Sequence, residues 1–298
     1  TFSLGSTLGI DYLPVVIAAD RLCDEYGLDT ISAGVAIGFA MELYEKGILT
    51  RKDTDGIELK FGNHDILLEM LRKIAYGEGI GGILAQGTKK AAEIIGKGSD
   101  FYAMHVKGLE MPAYDVRGAK AHGLNYATSY TGADHNRGYA FQEIFDTPVP
   151  EKVDRMAIEG KGRLTKWNQD IRSVTCDCAP MCAFLLDMAV PGIACQNTAD
   201  LVNAVAGTDF TPEDIEKIGE RINNLARLFN IGEGFTRQDD TFPKRLMTEP
   251  IKEGASKGQL ISQSDLDAML DEYYEARGWD NEGNPGEAKL KELGIKTR

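Results

Sequence analysis

Apolar positions recur at intervals of three and four along most of this chain, and that spacing predicts a mainly helical protein. Val15, Ala18, Leu22 and Tyr26 form one such series, with Asp11 placed to cap it and Gly27 to stop it. The next segment, 30–47, is apolar nearly all round and rich in small residues (Ala33, Gly34, Ala36, Gly38, Ala40), with Glu42 a rare charge. Such a helix is expected to be buried on several sides and to let a backbone or flat ligand come close. Asn63 opens a further series through Leu67, Met70, Leu71 and Ile74, and another helix is expected over 82–96. Thr211-Pro212-Glu213-Asp214 combines a capping threonine, a first-turn proline and acids at the positive end of the helix dipole. Ile215, Ile218, Ile222, Leu225 and Phe229 follow at helical spacing. Ser264 starts a helix that Gly278 ends, and a short helix closes the chain. Strand signals are confined to 57–61 and 102–106, both short. Between 107 and 138 the periodicity fails, and long irregular stretches in compact proteins usually carry function.

The length, 298 residues, allows one large or two medium domains. The net charge of −13 argues against nucleic-acid binding, which needs clustered Lys and Arg against phosphate. No apolar run approaches membrane-spanning length and no apolar leader opens the chain, so no membrane association is expected. Five cysteines without regular spacing do not form a secreted disulfide framework, which favours the reducing cytoplasm.

Chemistry concentrates in Cys176-Asp177-Cys178-Ala179-Pro180-Met181-Cys182, where three of the five cysteines fall within seven residues. Thiolates there could hold zinc or an iron–sulfur cluster, or could be small apolar side chains in a helical core. A four-cysteine site would need Cys195 or Cys23 as well. His135, in a polar glycine-bearing stretch, is a candidate acid, base or ligand, or a solvated loop residue. His64 and His105 read as structural. Gly77-Glu78-Gly79-Ile80-Gly81-Gly82 matches a dinucleotide fingerprint in letters only, because it follows a helix, and is expected to be a helix–helix turn. Asp53 to Leu59 reads as a turn, and Asp29 and Glu25 as caps, surface charges or site acids.

Several segments together resemble the tungsten- and pterin-dependent aldehyde:ferredoxin oxidoreductases. They are residues 22–32, Ala40-Met41-Glu42-Leu43-Tyr44-Glu45-Lys46-Gly47, Glu78-Gly79-Ile80-Gly81, residues 123–129 with Gly132 to His135, Phe229-Asn230-Ile231-Gly232-Glu233-Gly234, and residues 273–279. The resemblance implies two multihelical domains with minor strands, residues 1–107 and 108–298, corresponding to the family's domains 2 and 3. It further implies that an N-terminal β domain, with the cysteine run supplying three cluster ligands, lies upstream of Thr1. The family's D-x-x-G-L-(C/D) pterin motif resembles Asp53, Gly56, Ile57 and Glu58, and a second copy resembles Asp177, Pro180, Met181 and Cys182. By that resemblance Asp53 and Asp177 contact the pterins of a tungsten (or molybdenum) bis-pterin, and Cys182 is the fourth ligand of a [4Fe–4S] cluster. Carboxylates suit pterin N–H pairs, and glycine lets backbone approach the ring. Pro180 departs from the motif's glycine and has no N–H to offer. His135, with Asp29 or else Glu25 as acid, would act at the substrate, and Arg117 and residues 123–129 would line the cofactor cleft.

The implied activity is oxidation of an aldehyde to a carboxylate, with electrons leaving through the cluster to ferredoxin. The implied partners are the N-terminal domain, ferredoxin and a small aldehyde, with a homodimer possible through the Glu42–Glu45 acids. Alone, this chain is expected to be inactive. A same-fold enzyme with another substrate, such as a benzoyl-CoA reductase-like tungsten protein, remains open. So do a non-catalytic scaffold and a helical module binding zinc through Cys176, Cys178, Cys182 and Cys195.

Overall fold

A computed structural model describes residues 1–146, 149–184 and 194–296. Thirteen α-helices occur among them: α1 (Leu13–Tyr26), α2 (Thr30–Glu45), α3 (Leu67–Tyr76), α4 (Ile80–Leu84), α5 (Thr88–Ile95), α6 (Lys120–Thr128), α7 (Phe141–Phe145), α8 (Lys161–Arg172), α9 (Ala194–Ala206), α10 (Pro212–Gly232), α11 (Lys244–Thr248), α12 (Gln263–Arg277) and α13 (Glu287–Glu292). The only sheet among the described residues pairs β1 (His105–Val106) with β2 (Leu109–Glu110), antiparallel. The mainly α expectation is met. No helix of the described residues is long and apolar enough to cross a membrane. The chain divides into two compact units, Thr1–Tyr114 with Phe242–Arg245, and Asp115–Thr241 with Leu246–Arg298.

The first unit is organised around α2. Ile37, Ala40, Met41 and Leu43 of that helix are fully enclosed, among Leu8, Leu59, Leu67, Met70 and Leu71. A Cβ on Gly34 would overlap the Ser3 carbonyl, so this small-residue helix does carry a backbone directly on its surface. Its one half-buried acid, Glu42, is neutralised by Arg245 at 2.7 Å.

Several local expectations are corrected. Asp11 does not cap α1; Tyr12 occupies the cap position without a side-chain bond, and Pro14 starts the turn. Asn63 turns its amide to the Glu58 carbonyl instead of capping, and a 3₁₀ turn precedes α3. The helix expected over 82–96 is broken. Gly87 adopts φ +83°, and the Glu110 carboxylate receives the Thr88 N–H at 2.6 Å, capping α5 afresh. Residues 57–61 form no ladder. Their alternating burial, with Ile57 and Leu59 inward, reflects packing on helices and not strand pairing. Ser262, not Ser264, caps α12, in a reciprocal box with Asp265. The box expected at Thr211 and Asp214 is present on α10.

The second unit packs α6, α10 and α12 around α8. Here lies the largest correction. Residues 107–138 contain α6, whose nine residues are all buried although only some are apolar. A helix enclosed on every side has no polar face, so it shows no period. Several of its polar groups are bonded internally: Gln169 donates to Asn125 (3.2 Å) and Thr128 (3.1 Å), and the Glu143 carboxylate accepts the Ala121 and His122 N–H groups at the helix start. Lys161 neutralises Glu143 at 2.6 Å with both side chains buried. Through its other end Gln169, together with Asp170, holds the fully buried Arg277.

Candidate cofactor site

Helix α8 does not end at Arg172. It runs on as a π-helical turn, Ser173–Cys178, in which Ser173 and Thr175 bond back to carbonyls four residues earlier. Such π segments often occur at functional sites. Pro180, lacking an N–H, follows at its end, and the Met181 N–H returns to the Thr175 carbonyl at 3.1 Å. The proline therefore closes the turn that presents Asp177, and the Met181 N–H is not available to a ligand.

Asp177 is anchored on one oxygen only. Its Oδ2 accepts from Arg137 Nη1 and from the Tyr130 hydroxyl, the latter at 3.3 Å. Among the described residues nothing donates to Oδ1, and the side chain is 36% exposed. Arg137 also donates to the Tyr130 hydroxyl (2.9 Å) and, through Nε, to Asp134 (3.1 Å), and its guanidinium lies over the Tyr130 ring at 5.2 Å. Burial pushes the Tyr130 phenol pKa up, as does Asp177, so the hydroxyl stays protonated and serves as a donor. Burial opposes the Arg137 charge, but Tyr130, Asp177 and Asp134 outweigh it and raise its pKa.

His135 sits half-buried in the 3₁₀ turn His135–Arg137, which Asp134 caps by accepting the Asn136 N–H at 2.8 Å. Its ring meets Tyr139 edge-on at 6.3 Å, and Tyr139 packs on the buried His122 at 4.7 Å. Burial, with His135 and Arg172 nearby, pushes His122 down to about 3, so it is a neutral support behind the turn. Gly138 is demanded by close approach, because a Cβ there would sit 2.5 Å from Asn125 Oδ1. The structure thus joins the Asp134–Arg137 turn to Asp177. It does not join Arg117 to them: that guanidinium forks onto Asp115 (2.9 and 2.6 Å) and bonds the Glu249 carbonyl.

Cys182 and Cys178 are exposed, Cys176 is half-buried beside Arg172 at 3.8 Å, and Cys23 and Cys195 are buried. Burial drives the Cys195 thiol up to about 12 and Cys23 to about 11, with nearby acids adding to both. These two are packing residues held as thiols, which are poor ligands. Among the described residues no three His, Cys, Asp or Glu side chains are arranged to hold a metal ion. The zinc module through Cys176, Cys178, Cys182 and Cys195 therefore lacks its geometry: Cys195 belongs to a core with Ile171, Val174, Ala199 and Ile215.

In the first unit, Asp53 closes a turn by accepting both the N–H (2.8 Å) and hydroxyl (2.6 Å) of Thr50, which hold its carboxyl below the usual range. Gly56 adopts φ +85°, and the space its side chain would fill is empty to 4 Å. Ile57 is inward, and Glu58 is half-buried beside Lys60 and Arg51. The residue missed by sequence is Asp55, whose carboxylate binds Lys73 (3.1 Å) and the Ile80 N–H (3.2 Å), pinning this turn to the start of α4. A Cβ on Gly79 would overlap that carboxylate, which explains one glycine of the misleading Gly77 to Gly82 run, a helix–helix turn as expected. Asp29 caps α2 through the Ser32 N–H at 2.7 Å, and Glu25 pairs with Arg21 on an exposed helix face. Both acids have structural duties of their own.

On a mainly α scaffold the second unit thus holds an anchored carboxylate joined to a histidine turn, with exposed thiols close by in sequence, and the relatives of this chain are oxidoreductases. The chain is a member of the aldehyde ferredoxin oxidoreductase family, whose domains 2 and 3 match residues 1–295. It is 42% identical over 99% of its length to a tungsten-containing aldehyde ferredoxin oxidoreductase of Pyrococcus abyssi, of which it covers 48%. It is 34% identical, over 98% of its length, to the WOR-like subunit of an aliphatic sulfonate oxidoreductase of Pyrococcus furiosus, covering 44% of that protein. Among solved structures it resembles the active site complex BamBC of benzoyl coenzyme A reductase with 1,5-dienoyl-CoA. The TM-score there is 0.73 at 25% identity, covering 94% of this chain and 46% of that one. The chain spans about half the length of the curated relatives it matches.

Proposed function

We propose that this chain is the helical C-terminal half of a tungsten-pterin oxidoreductase that converts aldehydes and water to carboxylates, two electrons and three protons. The carrying observation is the Asp177 carboxylate, bonded through Oδ2 and, among the described residues, not through Oδ1, five residues before the exposed Cys182. The residues present fit the group. Asp177 and Asp53 would each accept pterin N–H groups, which a carboxylate can take as paired bonds. The open space over Gly56 leaves room for a ring. The exposed Cys182 thiol would complete a [4Fe–4S] cluster whose other ligands come from the N-terminal half, with ferredoxin taking the electrons singly.

A tungsten bis-pterin, when bound, supplies the oxygen-activating, two-electron chemistry. The chain's own residues bind, orient and move protons. His135, half-buried against Tyr139, is held in a capped turn and can hydrogen-bond a carbonyl and relay a proton. The likeness to a benzoyl-CoA reductase supports a second reading with a larger substrate, and the 42% identity to aldehyde enzymes favours the first.

The test is aldehyde-dependent dye reduction by the full-length protein, purified anaerobically. His135→Ala should remove most turnover, by roughly 10²–10⁴-fold as for other acid–base residues, with tungsten retained. Unchanged turnover would sink the histidine's role, and activity on an aromatic acyl-CoA but no aldehyde would select the second reading.

A further inference from the structure

We propose that Arg137 is a positioning residue that ties the His135 turn to the Asp177 carboxylate, so that one guanidinium sets both the acceptor offered to the cofactor and the place of the histidine. The inference rests on the reading of Asp177 as a pterin acceptor. Its basis is the distribution of donors. Arg137 Nη1 serves Asp177 Oδ2 and the Tyr130 hydroxyl, while Nε serves Asp134 Oδ2. Asp134 uses its other oxygen to accept the Asn136 N–H, which shapes the turn containing His135. Its backbone carbonyl is held from α6 by Asn125 at 3.1 Å, and the Tyr130 carbonyl from α10 by Asn230 at 2.9 Å. The Arg137 side chain is 26% exposed and Asp134 23%, so these charges are partly desolvated and their pairing is stronger than on an open surface.

The His135 turn and the π-helical turn bearing Asp177 therefore meet mainly through one planar cation, with the Tyr130 hydroxyl a second, longer bond to Asp177. A lysine cannot reproduce this, because one ammonium lacks the fixed fork that reaches three partners in different directions. Loss of Arg137 leaves Asp177 with only the longer Tyr130 hydroxyl bond, and leaves Asp134 to hold the histidine turn alone. Partners that orient a ligand's immediate contacts typically matter by about 10–100-fold in metal retention or activity.

The experiment compares the anaerobically purified full-length protein with Arg137→Ala, Asp177→Ala, the double variant and Arg137→Lys. Tungsten per protomer is measured after gel filtration, and turnover per tungsten atom at saturating aldehyde. Each alanine variant should retain about tenfold less tungsten, and the double variant no less than the worse single, because Arg137 acts through Asp177. Arg137→Lys keeps the charge and the fold. It should lose turnover per tungsten atom by a similar factor with KM little changed, since the displaced histidine remains. Wild-type tungsten content and turnover in both Arg137 variants would overturn the proposal. So would additive losses in the double variant, which would mean that Arg137 contacts the cofactor by itself. Wild-type protein without tungsten would overturn the functional reading and this inference together, whereas loaded wild type with unaffected variants overturns the inference alone.

Discussion

His122 and Asp177 are side chains of the same unit treated in opposite ways. Asp177 is partly exposed and bonded through one oxygen, whereas His122 is sealed among Tyr126, Tyr139 and the polypeptide and pushed down to about 3, mainly by burial. The histidine's pH consequence follows from its ordinary value near 6.5. Between that value and about 3 the unfolded chain takes up a proton that the folded chain refuses, so acidification favours unfolding. The stability is complete above 6.5 and is lost on acidification at up to about 1.4 kcal/mol per pH unit. Urea unfolding of this chain at pH 7 and pH 5 should show wild type losing about 2 kcal/mol more than His122→Phe, an aromatic of similar volume. Equal losses in the two proteins would show that His122 titrates normally and is not sealed. Asp177 and His135 stood out as letters, while Asp55 and Arg137 did not, because the roles of the latter two lie in contacts 25 and 40 residues away.

Helices were legible where one face is polar. α10 carries its capping box openly, although of its apolar series only Ile215 is buried and Leu225 and Phe229 are exposed, and α3 buries the apolar series read for it. α6 was invisible because burial on all sides removes the signal on which periodicity depends. Helix contacts made by backbone were equally hidden, since glycines look alike in a sequence. A Cβ on Gly219 of α10 would overlap the Asp170 carbonyl of α8, and one on Gly162 of α8 would overlap the Tyr273 backbone of α12. Neither glycine has a positive φ, so the requirement is space alone. Gly219→Ala should force α10 from α8 and disturb the Asn223 bonds to Asp170 (3.0 Å) and Ser173 (3.1 Å). A cost of about 1–3 kcal/mol is expected for such overpacking, visible as a lower melting temperature. Gly232→Ala, on the same helix with nothing within 4 Å, is the control and should leave it almost unmoved. A Gly219→Ala protein as stable as wild type would mean the two helices separate at no cost.

At the scale of the molecule, the order of segments carried the family resemblance, and composition alone would have left a helical protein with a cysteine cluster of open meaning. That cluster bears on what the chain can hold alone. A [4Fe–4S] cluster is usually held by four thiolates. Cys23 and Cys195 are enclosed in cores and held protonated, their thiols pushed up to about 11 and about 12, and Cys176 is half-buried beside Arg172. The exposed thiols are Cys178 and Cys182. Two ligands on a short turn cannot replace four, and cluster formation would have to unfold the core holding Cys195 with Ile171 and Val174. This chain, expressed and purified alone under anaerobic conditions, should therefore fold, show a helical circular dichroism spectrum, and contain neither stoichiometric iron nor acid-labile sulfide. Joined to the N-terminal half that its relatives carry, it should gain about four irons per protomer, and Cys182→Ser should lower that occupancy while Cys178→Ser leaves it unchanged. Stoichiometric iron and sulfide in the chain alone would contradict this division of ligands. A loss confined to Cys178→Ser would move the ligand to the neighbouring thiol.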